Sequence, residues 1–539
     1  MSRKPISEST PLLKPYFGAG APARARNIVL GTAAIATLLC LPYGFYYALL
    51  TPWLLVPFIV PVAILLAVVI WVLPGSRTAP VKTMEGMLFV LFAALVAWPN
   101  YLALTFPGLP WMTVSRLVGT PMVILLLVSL STNADFRKKL AEVLNAVPAV
   151  WKCLAAFTAL QTLSIVFTSQ FGVSISKLVV HLTNETAAFL LCAYMFRRSG
   201  RAELWAYLLW GFAIFVGLIG IEEFRQQRVL WGGHVPSFLL PPDGLVDKIL
   251  VGSTRATTGE YRAQSVFTTS LAFSEFMALA IPFPLHFAMS RTYRPWIRLA
   301  GGASVPFIVL VILDSGSRLG LLGLFLATIL YLLLWALRLQ RKSPGNLMAP
   351  TIIVAYPALF SAFIAASLVV GRIKAKVWGM GQYDDSNQAR IDQWHMGLPK
   401  ILTHPLGHGV GQGAEALGYF NAAGTLTIDS YYLNVAMEYG IVGFLAFFAI
   451  FVVSAYNGAK YSLLGDEEDR DIAFLMPLTA AVVAFLAMKA FFAQEDNNGL
   501  AFMMMGITVA LVYRLRRREA EGNPRIVPAG GRSGRLARI

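Results

Sequence analysis

Three arginines stand where an apolar chain has little reason to keep positive charge. Arg262 lies in GEYRAQSVFTTSLAFSEF, Arg318 in LDSGSRLGLLG and Arg390 in NQARIDQWHMGLPKIL, each near one end of a hydrophobic run. A guanidinium stays charged at any working pH and offers a planar fork matched to phosphate oxygens, so three at one membrane face suit a shared anionic ligand such as a lipid diphosphate. Singly, each could instead snorkel to headgroups or close a local ion pair, as Arg318 could with Asp314. Asp429, in TIDSYYLNVAMEYGIVG, opens another apolar run. A carboxylate there can cap a helix, accept the proton of a reacting hydroxyl, or do both. Trp394 follows Arg390 by four residues, on the same face of a helix, as a sugar-stacking platform or an interfacial anchor.

The elements that must position these residues are membrane spans. Of 539 residues 57% are hydrophobic and only 13% charged, with a mean hydropathy of +0.64, against about a quarter charged in a soluble domain. Runs of the ~20 residues needed to cross the hydrocarbon core can satisfy their backbone in lipid only as helices. The expected fold is therefore an all-α polytopic membrane protein of about 12–14 transmembrane helices. The runs extend from Ile28–Leu50 and Pro52–Leu73 through Gly86–Phe106 to Leu500–Tyr513. The first run is too long for a signal-peptide core and is expected to be retained.

Charge assigns the sides. The formal net charge of +16 is spread over segment ends rather than gathered into a stripe, which fits the positive-inside rule and not nucleic-acid binding. With a cytoplasmic N-terminus, the loops holding Arg137, Lys138 and Lys139, then Arg197, Arg198 and Arg201, then Arg291, Arg294 and Arg298, then Arg338, Arg341 and Lys342 all fall inside. Residues 1–26 and 514–539 are expected to be disordered cytoplasmic tails flanking a helical domain over 27–513. Two long loops, 222–265 and 371–428, fall outside. In the second, the glycines of HPLGHGVGQG could cradle phosphate but follow no strand, so a tight turn back to the membrane is favoured. Asp384 and Asp385 read as a solvated turn, and His395, His404 and His408 lack ligand spacing, so no metal site is expected. Cys40, Cys153 and Cys192 lie within or beside apolar runs and form no disulfide framework. Arg116, His181, Glu185, Glu275 and Lys489 lie inside apolar segments, where ionisable groups face an interior and would be ordinary in a transporter's substrate path.

Taken together, SRLGLLG at the start of a span, ARIDQWHMGLPKILTHPLGHGVGQG and DSYYLNVAMEYGIVGF resemble the core signature of the O-antigen ligase and O-antigen (Wzy-type) polysaccharide polymerase superfamily. YRAQSVFTTSLAFSEFMALAIP is similar to its upstream arginine-containing segment, so the resemblance covers about 261–443. It implies a C-type glycosyltransferase of the bacterial inner membrane, with both termini cytoplasmic, that acts on the periplasmic side. Such an enzyme transfers glycan from undecaprenyl diphosphate to a glycan or lipid-linked acceptor without nucleotide sugar, cofactor or required metal, alongside flippase and chain-length regulator proteins. It also implies that Arg262, Arg318 and Arg390 hold the diphosphate or the glycan. Asp429 and Ser430 fall where ligases have histidine followed by asparagine, a departure that points towards a polymerase of O-antigen or exopolysaccharide. Two other readings stay open: a lipid-linked oligosaccharide flippase or other transporter, and a non-catalytic component of a polysaccharide export complex.

Overall fold

The computed structural model describes residues 72–521 except 77, 106–110, 241–243, 255–258, 344, 370–383, 422–423 and 466–468, together with 31, 34, 66 and 68–70. The first two expected spans lie almost wholly outside the described residues, as do the 1–26 tail, most of the 514–539 tail and the side chains of Asp384 and Asp385.

Among the described residues ten helices are long and apolar enough to cross a membrane. They run from Val114–Thr132 to Asn498–Ala520, at the positions the hydropathy pattern predicts. Two further apolar helices, Val81–Ala97 and Met348–Val369, stand where the remaining expected spans begin. The chain is thus an all-α polytopic membrane protein.

Helix starts carry their own chemical signals. Thr113, Thr269 and Ser317 each accept a hydrogen bond from the third residue along, Arg116, Ala272 and Gly320, so a first-turn N–H with no carbonyl partner is satisfied. Pro148 and Pro295 open helices at the first position, where a missing N–H costs nothing. The core is built around Asn498–Ala520, whose apolar window is 94% buried. It packs on Tyr431–Ser462, Leu475–Lys489 and Ala188–Met195. Phe451 stacks on Phe485 with ring centroids 5.3 Å apart and meets Phe502 edge-on at 5.6 Å, the offset and edge geometries that aromatic quadrupoles favour.

Charge pairs distinguish the two ends of the bundle. At one end Asp471 accepts hydrogen bonds from Gly200 N, Glu203 N and Arg514 Nη1, and Glu85 receives Arg198 and Arg201. Arg137 donates to Leu130 O and Ser131 O, and Arg516 to Ala146 O. The opposite end holds Glu223, Arg262, Asp314, Lys177, Glu438 and Glu495, gathered from segments far apart in sequence.

The Tyr431–Ser462 helix is broken at Gly440, with φ 67° and ψ −173°, a region open essentially to glycine alone. The break frees carbonyls that the neighbouring loop takes up: His408 N donates to Met437 O at 2.9 Å and Gly409 N to Glu438 O at 3.1 Å. The HPLGHG run makes the tight turn read from sequence, Gly407 N donating to His404 O at 2.9 Å, and that turn also plugs the kink of this helix. Gly407, at φ +81°, lies so close to the Glu438 carbonyl that a Cβ there would overlap it.

Candidate functional site

Arg262 is placed by a carboxylate the sequence reading passed over. Glu223, buried near the end of Arg201–Gln226, accepts hydrogen bonds from Tyr261 Oη at 2.8 Å, Gln264 N at 3.1 Å and Ser265 N at 2.6 Å. Three donors from five consecutive residues fix the path of that segment. Ser265 takes the left-handed conformation, φ 51°, and its hydroxyl donates to Val216 O, so the held backbone is also a strained one. The Tyr261–Arg262 strand pairs antiparallel with Ser253–Thr254. From it, Arg262 Nε donates to Ser315 O at 3.3 Å, and Ala263 N to Asp314 O at 3.3 Å. The arginine stem runs along Gly316, where an added Cβ would come within 3.3 Å of Arg262 Cγ. Arg262 therefore reaches the turn that leads into Arg318. Arg318 is the first residue of a 25-residue helix capped by Ser317, so its charge adds to the positive end of the helix dipole, a combination that favours anions.

The second pair comes from the Asp384–Thr403 helix and the entry to Tyr431–Ser462. Gln393 Oε1 accepts the Asp429 N–H at 2.8 Å. Burial raises the Asp429 carboxyl above its usual range, and the Arg390 guanidinium and Gln393 oppose that rise. The N-cap position of the following helix belongs to Ser430 and not to Asp429, which corrects the capping reading of the carboxylate. Asp429 thus stands one residue ahead of the cap. Ser430 is buried, with its hydroxyl unpartnered among the described residues. Trp394, one turn beyond Arg390, remains 39% exposed on the outer surface of its helix.

A third group of polar residues forms a largely buried network inside the bundle. Lys177 Nζ contacts Glu438 at 2.8 Å and Glu495 at 3.0 Å. His181 meets Glu185 at 2.8 Å, and Asn498 Nδ2 reaches Glu185 at 3.1 Å and Tyr431 Oη at 2.8 Å. Glu185 sits in the π-helical turn Leu182–Ala187, a distortion frequent at functional sites. Lys489 pairs with Glu275 at 3.2 Å and lies 5.4 Å from the centre of the Tyr431 ring. The intramembrane ionisable residues found in the sequence therefore form paired networks. Arg116 joins two spans by donating to Ser176 Oγ at 2.8 Å. Lys177 was missed, though a cation at the end of an apolar run is the same kind of signal that singled out the arginines. Glu223, Gln393 and Glu495 carry no signal of their own, because each acts on a partner remote in sequence.

Residues 302–448 match the family described as O-antigen ligase. The match contains Arg318, Arg390, Trp394, Asp429 and Ser430, and begins after Arg262. No curated protein matches the chain.

Proposed function

With an O-antigen ligase family domain at residues 302–448 as its premise, the reading we propose for this multi-pass membrane protein is a glycosyltransferase that lengthens or attaches lipid-linked glycan at the outer membrane face. The donor is an undecaprenyl-diphosphate-linked oligosaccharide and the acceptor a sugar hydroxyl, with polymerisation of O-antigen or exopolysaccharide units favoured over ligation because Asp429 and Ser430 replace the histidine and asparagine of ligases. The observation that carries this reading is Asp429, a partly buried carboxylate whose backbone N–H is held by Gln393 Oε1 and which lies within electrostatic reach of Arg390.

In the proposed reaction the acceptor oxygen attacks the anomeric carbon as its bond to the diphosphate oxygen breaks, and the diphosphate leaves with the bonding pair. Asp429 takes the hydroxyl proton, and a carboxylate made more basic by burial suits that task. Arg262, which reaches the 314–318 turn, Arg318, which ends it, and Arg390 stabilise the charge that grows on the leaving diphosphate. Single displacement inverts the anomeric centre. Trp394 and Ser430 would contact glycan. The same seating could hold a diphosphate without turnover, as a flippase would.

Purified protein supplied with one lipid-linked repeat unit separates these readings. Release of undecaprenyl diphosphate with a longer glycan is expected, and movement across the bilayer without lengthening would overturn the enzyme. Arg318→Lys keeps the charge but loses the fork; polymer output in a complemented deletion strain should fall about tenfold or more, in line with the 1.5–3 kcal/mol of a charge-assisted hydrogen bond.

A further inference from the structure

The Asp384–Thr403 helix carries a row of large apolar side chains that no element among the described residues covers. Ile391 is 49% exposed, Leu398 52% and Leu402 64%, with Trp394 beside them. At about 100° per residue these four share one stripe roughly 80° wide. The other side of the helix is packed. Gln393 and Ile401 are buried, and a Cβ on Gly397 would come within 2.7 Å of Leu433 Cδ1. Arg390, at the same spacing, falls on the packed side of the helix, between Gly397 and Ile401.

An uncovered apolar row could bed in lipid or seat a partner protein. Its surroundings favour lipid. The chain leaves the helix through Leu406, itself exposed, and enters the Gly440 break, beyond which Ile441, Val442 and Leu445 are exposed on the Tyr431–Ser462 span. The apolar row is thus continuous with the lipid-facing side of a membrane-crossing helix, and it contains no charged residue. Amphipathic helices of this kind lie in the interface with their apolar face about 5–10 Å into the headgroup and acyl boundary.

We infer that the Asp384–Thr403 helix lies in the membrane interface, its Ile391–Trp394–Leu398–Leu402 stripe bedded in acyl chains, so that Arg390, on the packed side of the same helix, is held at headgroup depth. The site then opens laterally to a lipid-borne anion whose tail runs along the stripe. Only this last clause rests on the glycosyltransferase reading; the depth of the helix does not.

The test uses the full-length protein in lipid nanodiscs, with Cys40, Cys153 and Cys192 changed to alanine and single cysteines placed at Ile391, Leu398, Leu402 or, as an aqueous control, Glu415. Spin labels at these sites are exposed to oxygen, which concentrates in lipid, and to a water-soluble nickel chelate. Oxygen access exceeding nickel access at the three stripe positions, with the reverse at Glu415, is expected. Nickel access at the stripe would place the helix in water, and protection from both reagents would place a protein over it; either result overturns the inference. The measurement needs no turnover, so it can fail while glycosyl transfer stands, and the reverse.

Discussion

At the scale of single residues, Asp429 and Arg390 form the most informative pair. Burial lifts the carboxyl and the guanidinium holds it down. A base must be ionised to work, so transfer should persist above the raised value and fail as pH falls through it, at a pH higher than the ~3.9 of a free aspartate. Arg390→Met removes the opposing charge and should move that acid limb upward, read from the pH profile of transfer. Asp429→Asn should lower turnover about 10²–10⁴-fold, the usual range for losing a general base, with protein level in the membrane unchanged. The sequence made Arg390 and Asp429 legible through their types and places at segment ends. Gln393 was not legible, since its value lies in a 2.8 Å contact with a backbone N–H 36 positions on. The capping role given to Asp429 failed for a local reason: helical dihedrals begin at Tyr431, and that makes Ser430 the cap.

Elements decide how rigidly these residues are held. The segment with Arg262 is tied to Glu223 through a phenol and two backbone amides. Glu223→Ala should therefore act as a misplacement of Arg262, lowering transfer by about 10²-fold, as a shift on the order of 1 Å does elsewhere. Tyr261→Phe, which loses one of the three donors, should have a smaller effect in the same turnover assay. In the Tyr431–Ser462 helix, Gly440→Ala puts a side chain into a conformation that costs about 1–3 kcal/mol, and into the carbonyl of Pro405. A lowered melting temperature in detergent checks this. Spans were legible because apolar runs of sufficient length have one solution in lipid. The kink was not, because a glycine-rich loop looks the same whether it merely turns or plugs a broken helix, and only the 408–437 and 409–438 hydrogen bonds distinguish the two.

Across the whole molecule, the buried cations and carboxylates at one end hold the spans in register. Lys177 bridges Glu438 and Glu495, residues from two different regions of the chain. Removing one partner of a buried pair leaves an uncompensated charge, so Lys177→Met should destabilise the fold by about 3–5 kcal/mol. Adding Glu438→Gln should recover part of that, measured by thermal unfolding in detergent. The places of the spans were readable from hydropathy, whereas the partners of Glu275 and Lys489 depend on helix packing that no local pattern encodes. The 94% burial of Asn498–Ala520 has a consequence for biogenesis. This helix follows the other nine candidate spans among the described residues, yet several of them assemble around it. During synthesis the earlier spans enter the bilayer before their centre exists, with Phe447, Phe451 and Phe485 still facing lipid or one another. A ribosome stalled before Asn498 should therefore yield a correctly inserted but hollow, protease-sensitive bundle, and resistance should appear only after the final span is released into the membrane.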